Sequence, residues 1–241
     1  MDLFSGIGGL AIALEPWVRP VAYCEIEQYA QAVLLSRQAS GCLPSAPIWD
    51  DVRTLCGDDL PSVDIVYGGF PCQDISVAGH GVGLEGSRSG LFWEICRLIG
   101  ELGPAFVFLE NVPAIRTRGA RKVVGALASL GYDSSWDVVS AREVGAPFIG
   151  DRWFLFAAAN GETLRVEQGR CERAGRPEGA PFNLAARDTR LTPWTPERGF
   201  EPRVFGTGHG VPCAVDRDRA LGNAVVPAQA REAFRRLAGL K

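Results

Sequence analysis

One cysteine, Cys72, stands in a sequence context in which it could act as a nucleophile. It follows Pro71 in the segment Gly-Gly-Phe-Pro-Cys-Gln (68–73), directly after the apolar run 63–67. Such a run predicts a buried strand, so Cys72 is expected in a loop at the carboxyl edge of a sheet, where open α/β sheets bind ligands. A thiolate there could add to a substrate, and Pro71 would stiffen the loop because its ring fixes φ. Most cysteines are buried core residues, so the rest of the sequence must decide between the two roles.

A second segment predicts a nucleotide-type site. Residues 2–9 read Asp-Leu-Phe-Ser-Gly-Ile-Gly-Gly and precede a helical pattern. Glycines at a strand-to-helix turn allow positive φ and a close approach of a ligand to the backbone. Glu25 follows the next apolar segment, about 20 residues on, where an acidic side chain commonly binds a ribose hydroxyl. The turn lacks the Lys-Ser/Thr pair of a triphosphate loop, which favours a nucleoside-bearing cofactor.

These two segments resemble the DNA cytosine-C5 methyltransferases when they are taken with two later ones. The later segments are Glu-Asn-Val (110–112) and Gly-Asn-Ala-Val-Val-Pro (222–227), and all four occur in the order of the family. The resemblance runs from Asp2 to about Phe234. The run Asp-Arg-Asp-Arg (216–219) and the short length are similar to the small phage-type branch.

The resemblance implies a catalytic set of Cys72, Glu110, Asn111 and Arg152. Cys72 would add to carbon 6 of cytosine, and Glu110 would supply a proton or a strong hydrogen bond at nitrogen 3, which requires a raised pKa. Asn111 would hold the shape of the loop, and Arg152 would contact the base and orient Glu110. Since a duplex hides carbon 6, the target base would be flipped out, with the glycine-rich segment 76–90 closing over it.

The resemblance also implies S-adenosylmethionine as the methyl donor. The cysteines have no histidine partners at metal-ligand spacing, which predicts chemistry without a metal. Phe4 and Ile26 would lie against the adenine, Gly6 and Gly8 near the methionine part, and Glu25 on the ribose. An aspartate after the third strand would bind the adenine amino group, as Asp51 or, one step away, Asp50. The expected cofactor-binding residues are Phe4, Ser5, Gly6, Ile7, Gly8, Gly9, Glu25, Ile26, Asp51, Val52, Pro71 and Asn223. For Asn223, a purely structural role in the turn after Gly222 has about the same weight.

The elements that must position these residues alternate between short apolar runs and amphipathic segments, which predicts a doubly wound, mainly parallel α/β sheet. The resemblance implies that this sheet is of the Rossmann-like methyltransferase type. The predicted strands are 1–4, 21–25, 47–49, 65–68, 106–109, 136–140 and 153–158. The predicted helices are 9–14, 28–36, 90–100, 121–130 and 228–237. We expect a catalytic and cofactor-binding domain over 1–160, a small irregular target-recognition region over 161–218 and a C-terminal helix over 219–241 that returns to the catalytic domain.

The charge distribution favours a nucleic-acid partner, and the composition predicts no membrane-spanning segment. Residues 165–241 hold 14 basic and 9 acidic residues (net +5), whereas residues 1–164 hold 11 and 19 (net −8). A basic segment beside an acidic one fits a catalytic domain joined to a region that binds a phosphate backbone. The resemblance implies that this partner is double-stranded DNA. The seven cysteines show no CxxC pair, which predicts reduced thiols, and no apolar run is long enough to cross a bilayer. We expect a cytoplasmic, monomeric protein encoded by a bacterium or a phage, with a cognate restriction endonuclease as a possible partner.

Two departures from the family pattern keep alternatives open. Phe148 and Gly150 replace a polar residue and an arginine that the family usually carries, which leaves Arg152 alone. A protein that binds cofactor and DNA without turnover is therefore a second hypothesis, and methylation of an RNA cytosine is a third. The first strand is also short, because Asp2 directly follows the first residue.

Overall fold

A computed structural model describes residues 1–71, 90–167, 170–173 and 224–240 of the 241-residue chain. For residues 164–167 and 170–173 it describes the backbone alone. Four sequence predictions lie outside the described residues: Cys72, Asn223, the loop 76–89 and most of the recognition region.

Within the described residues, nine strands form a main sheet of seven and a separate hairpin of two. In chain order they are β1 (Asp2–Leu3), β2 (Tyr23–Cys24), β3 (Ile48–Trp49), β4 (Ile65–Gly69), β5 (Phe106–Asn111), β6 (Tyr132–Ser140), β7 (Asp151–Ala159), β8 (Leu164–Glu167) and β9 (Arg170–Arg173). The helices are α1 (Gly9–Leu14), α2 (Gln28–Ala39), α3 (Leu91–Leu102), α4 (Ile115–Arg118), α5 (Ala120–Ser129) and α6 (Pro227–Leu237), with 3-10 turns at Gly57–Asp59 and Ala141–Val144.

The main sheet has the order β3-β2-β1-β4-β5-β7-β6. The strands from β3 to β5 run parallel, and β7 is antiparallel to both of its neighbours. The chain builds outward from β1 in one direction and from β4 in the other, so the topological switch point lies between these two strands. In such sheets, ligands bind beyond the carboxyl ends of the strands at the switch point.

Helices cover both faces of the sheet. On one face α3, α4 and α5 bury apolar side chains such as Ile99, Ile115 and Val123 against the sheet. On the other face α1, α2 and α6 do the same, and Phe234 packs edge-on against Phe108. The predicted doubly wound, mainly parallel α/β fold is confirmed.

The element boundaries differ from the predictions where apolar residues are few. Strand β6 begins at Tyr132 instead of residue 136. Residues 132–135 are mostly polar, but they also pair with β7. Strand β5 continues through Glu110 and Asn111, so both site residues belong to the strand. The short helix α4 and the hairpin β8–β9 were not predicted. Among the described residues, no helix has the length and apolarity needed to span a membrane.

Candidate active site

The turn between β1 and α1 is the first part of the site. The Ser5 hydroxyl accepts the Cys24 amide at 3.2 Å, and the Ser5 amide donates to the Cys24 carbonyl at 3.0 Å, which ties the turn to β2. Gly6 and Gly8 adopt left-handed backbone conformations, with φ of 53° and 85°. Phe4 also has φ of 53°, which is uncommon for a residue with a side chain and is frequent at functional sites. A Cβ built on Gly6 would meet no atom within 4 Å, so the turn faces open space.

Glu25 holds this turn in place with its carboxylate. One oxygen, Oε2, accepts the Gly6 amide at 2.7 Å, and the other, Oε1, accepts the Glu27 amide at 2.8 Å. Glu25 is buried, whereas the next residue, Ile26, is 59% exposed. Each carboxylate oxygen can accept a further hydrogen bond, so a diol could bind beside an apolar side chain. These features fit the ribose and the base of a nucleoside, as the sequence analysis expected of Glu25 and Ile26.

Residues after β3 form the neighbouring part of the site. The Arg53 guanidinium donates to both carboxylate oxygens of Asp51, and the closest nitrogen–oxygen distance is 2.6 Å. This bonding lowers the pKa of Asp51. Asp50 instead accepts the amide of Asp51 at 2.9 Å, and Val52 is buried beneath them. Asp51 is thus charged and held in one orientation, while the choice between Asp51 and Asp50 stays a prediction.

Asn111 fixes the segment that leads to Pro71. Its side-chain amide donates to the Phe70 carbonyl at 2.8 Å, and its carbonyl oxygen accepts the Val112 amide at 2.9 Å. Asn111 is only 3% exposed, so both bonds are shielded from water. Phe70 precedes Cys72 by two residues, and Asn111 therefore anchors the start of the segment that carries this cysteine.

Glu110 and Arg152 form a buried ion pair at the same edge of the sheet. Strand pairing places Glu110 opposite Phe154, two residues from Arg152, and Nε of Arg152 lies 3.0 Å from Oε1 of Glu110. The side chains are 12% and 22% exposed, respectively. Burial raises the pKa of Glu110 to about 7, and the charge of Arg152 opposes part of that rise. Glu110 can therefore exist in both protonation states near neutral pH, as a general acid requires.

The space that the Glu110 carboxyl occupies depends on Gly69, which the sequence analysis did not assign. Gly69 lies opposite Glu110 in the parallel pairing of β4 and β5. A Cβ on Gly69 would lie 2.6 Å from Oε2 of Glu110, well inside contact distance. The two consecutive glycines at the end of an apolar strand were a signal for such a close approach.

Two side chains of α2 support the cofactor side and were also not assigned. Arg37 donates from Nη1 to the Ile7 carbonyl, and Gln31 donates to the Glu25 carbonyl at 2.6 Å. They fix backbone groups of the residues that the sequence did single out. Their sequence context carries no signal of this role, since both belong to an ordinary helical segment.

Taken together, the described site residues gather at one edge of the sheet on both sides of the switch point. The expected cofactor residues Phe4 to Gly9, Glu25, Ile26, Asp51 and Val52 follow β1, β2 and β3. Pro71 follows β4, whereas Glu110 and Asn111 belong to β5 and Arg152 belongs to β7. Phe148, in the place of the family's polar residue, is 51% exposed, and Gly150 lies against its ring. Among the described residues, Arg152 is the cation that pairs with Glu110.

Comparison with known proteins identifies the family of this chain and several relatives. The sequence model of the family described as C-5 cytosine-specific DNA methylase matches residues 1–188. Type II methyltransferase M.CviJI of Paramecium bursaria Chlorella virus IL3A is 34% identical over 159 residues, which cover 65% of this chain and 42% of that protein. Type II methyltransferase M2.BsuMI of Bacillus subtilis (strain 168) is 36% identical over 167 residues, covering 66% and 41%.

Among solved structures, DNMT2 of Spodoptera frugiperda superposes with a TM-score of 0.55 at 20% identity, covering 75% of this chain and 56% of that one. At this identity the likeness concerns the fold alone. The chain spans less than half the length of the two curated relatives named above.

Proposed function

This chain belongs to the C-5 cytosine-specific DNA methylase family, and we propose that it transfers a methyl group from S-adenosylmethionine to carbon 5 of a cytosine in double-stranded DNA. The observation that carries the proposal is the Glu110–Arg152 pair. The Glu110 carboxyl, with a pKa of about 7, lies at the edge of the sheet that also holds the open turn at Gly6 and the carboxylate of Glu25, which is suited to bind a ribose.

The residues present fit the methyl donor. The open space at Gly6, the remaining acceptor capacity of Glu25 and the exposed side chain of Ile26 suit an adenosine group. S-adenosylmethionine, when bound there, supplies the methyl group as an electrophile. We infer that Phe4 and Ile26 flank the adenine, that Asp51 meets its amino group and that Asn223 closes the pocket.

The chemistry on cytosine is divided between Cys72 and Glu110. The Cys72 thiolate adds to carbon 6, and the electron pair of the 5,6 double bond shifts so that carbon 5 becomes enamine-like and can accept the methyl group. The sulfur–methyl bond breaks in this transfer, and S-adenosylhomocysteine is the second product. Protonated Glu110 donates to nitrogen 3 and neutralises the charge that the addition pushes into the ring. A base then removes the proton from carbon 5, the double bond forms again and Cys72 leaves as thiolate.

Arg152 has a positioning task in this scheme. Its guanidinium holds one oxygen of Glu110, which leaves the second oxygen to face nitrogen 3. Asn111 keeps the Phe70 carbonyl fixed, so that the cysteine-bearing segment starts from a defined point. Because carbon 6 is covered in a stacked duplex, the target cytosine enters this pocket flipped out of the helix.

The covalent step can be tested with a duplex in which cytosine carries fluorine at carbon 5. Fluorine cannot leave as a cation, so the reaction stops at the cysteine adduct, and intact-mass measurement detects protein joined to DNA. We expect this adduct with wild type in the presence of S-adenosylmethionine and its absence with Cys72→Ser. Cys42→Ala removes an exposed free thiol elsewhere and should form the adduct like wild type.

Methyl transfer without any adduct, or an adduct that persists in Cys72→Ser, would refute the assignment of Cys72. Glu110→Gln should bind DNA and cofactor but methylate about 100-fold more slowly or worse, the usual range for loss of a general acid.

A further inference from the structure

The segment after the site strand β5 is strongly basic. Arg116 and Arg118 belong to α4, and Arg121 and Lys122 belong to the first turn of α5. No acidic residue occurs between Asn111 and Gly131. All four cationic side chains are exposed.

These cations have no carboxylate partner among the described residues. Elsewhere in the described parts of the chain, Arg53, Arg97, Arg235 and Arg236 each form an ion pair with Asp or Glu. The basic segment therefore brings together four cations that no described carboxylate neutralises, which leaves their charge available to an external anion.

The position of two of these charges is unfavourable for the helix itself. Arg121 and Lys122 lie at the amino terminus of α5, where the helix dipole repels cations and favours anions. The first turn of α5 holds no acidic residue, and its N-cap Gly119 offers no side chain to the free amides. An anion bound here would relieve the repulsion between these cations and the helix dipole.

An exposed tryptophan adjoins the basic segment. Trp136 on the edge strand β6 is 46% exposed, and the Arg116 guanidinium carbon lies 5.8 Å from the centre of its ring. On its other side Trp136 packs against the buried Trp153, with ring centres 6.5 Å apart. The packing holds the tryptophan, and the tryptophan in turn holds Arg116 in a cation–π contact. A guanidinium held in this way loses less freedom when it binds a phosphate.

The surface lies close to the proposed reaction site. Arg116 follows Glu110 by six residues, so their Cα atoms are within about 20 Å of each other even for an extended chain. One turn of a DNA duplex is longer than this, at about 34 Å. A duplex with one base in the Glu110 pocket therefore has phosphates within reach of the basic segment.

We propose that Arg116, Arg118, Arg121, Lys122 and Trp136 form a surface that binds the phosphate backbone of duplex DNA beside the target base. This proposal rests on the proposed function in taking DNA as the ligand. Contacts to phosphates set affinity and register without reading sequence. The surface increases the affinity for any duplex and leaves the chemical step unchanged.

The test is the salt dependence of binding to a mixed-sequence 30-base-pair duplex, measured by fluorescence anisotropy. In the triple variant Arg118→Ala/Arg121→Ala/Lys122→Ala, we expect Kd to rise at least tenfold at low salt. The slope of log K against log salt should become shallower by about 2 to 3, since each lost phosphate contact removes about 0.9. The rate of methyl transfer at saturating DNA should stay within twofold of wild type.

Matched single variants control for loss of charge alone. Arg118→Ala and Arg19→Ala each remove one exposed arginine, but Arg19 precedes β2 at the amino edge of the sheet. We expect a weaker Kd for the first and a Kd within twofold of wild type for the second. Trp136→Leu should also weaken binding, because Arg116 then loses its support.

The outcomes separate this surface from the function. If wild type methylates DNA and the triple variant shows the wild-type Kd and slope, the surface is refuted and the function stands. If wild type binds DNA, the triple variant loses affinity and slope, and no cytosine is methylated, the surface is supported and the proposed function fails.

Discussion

At the residue scale, the Glu110 carboxyl is subject to two opposing influences. Burial raises its pKa to about 7 from an ordinary value of 4.5, and Arg152 acts in the other direction. The proposed chemistry needs the protonated form, and its population falls as pH rises through 7. The acid is therefore available at the pH of most cells without being permanently protonated.

This predicts a pH dependence that belongs to Glu110. Above pH 7 the single-turnover rate should acquire a falling limb of up to tenfold per pH unit, while ionisation of Cys72 contributes a rising limb. Glu110→Gln keeps the rising limb only, so the ratio of wild-type to variant rates should fall between pH 6 and 9. A ratio independent of pH over this range would contradict the role of Glu110 as an acid.

Gly69 offers a second test at the same scale. In Gly69→Ala the new Cβ would lie 2.6 Å from Oε2 of Glu110, and the flexible side chain of Glu110 can move away. We expect turnover to fall at least tenfold with little change in Tm. Gly100→Ala, whose Cβ would meet nothing within 4 Å, serves as the control. Full activity in Gly69→Ala would show that the position of this carboxyl is not critical.

At the element scale, β1 is one of the shortest strands and yet lies inside the sheet, between two other strands. It consists of two residues and pairs with β2 on one side and β4 on the other. The backbones of β1 and β4 approach each other closely at Leu3 and Gly68. A Cβ on Gly68 would lie 2.2 Å from the Leu3 carbonyl oxygen. That oxygen belongs to the backbone and cannot move aside without disturbing the pairing.

Gly68→Ala should therefore lower the free energy of unfolding by about 3 kcal/mol or more, at or beyond the upper end for overpacked cores. Urea denaturation measures this directly. Gly125→Ala, on the exposed side of α5 with open space around its Cβ, should instead stabilise the protein by about 0.5–1 kcal/mol. Equal stability of the two variants would mean that β1 and β4 are not packed as closely as described.

How well the sequence predicted an element depended on whether the element was apolar. Strands β4 and β5 were placed to within two residues, because buried parallel strands are continuous apolar runs. Helix α4 has the sequence Ile-Arg-Thr-Arg and hairpin β8–β9 is rich in charge, so neither carries a hydrophobic period. The contact of Glu110 with Arg152 joins residues 42 positions apart. Only the antiparallel placement of β7 beside β5 brings them together, and local patterns do not encode that placement.

At the scale of the whole molecule, α6 joins the end of the chain to its beginning. Arg231 donates to the carbonyls of Ile12 and Ala13 at the end of α1, each at 2.9 Å. The buried side chain of Gln229 donates to the carbonyls of Val139 and Gly150, which lie in β6 and directly before β7. The C-terminal helix thus completes the face of the sheet opposite the proposed DNA-binding surface.

Gln229→Leu tests how much these hydrogen bonds of α6 contribute to stability. It leaves two carbonyls without their donor in the interior, so we expect a loss of about 2 kcal/mol or more in the free energy of unfolding. Arg235→Gln breaks a solvent-accessible ion pair with Glu232 on the same helix and should lower the free energy of unfolding much less, because water screens such pairs. Comparable small losses in both variants would show that α6 is not an integral part of the fold.

The proposed reaction is methylation of carbon 5 of cytosine in DNA, and base-resolution sequencing of 5-methylcytosine detects its product. Unmethylated DNA is incubated with the purified protein and S-adenosylmethionine, with Cys72→Ser in parallel. We expect 5-methylcytosine within one short sequence context for wild type and none for Cys72→Ser. Unmethylated DNA after incubation with a folded wild-type protein that binds the cofactor would contradict it.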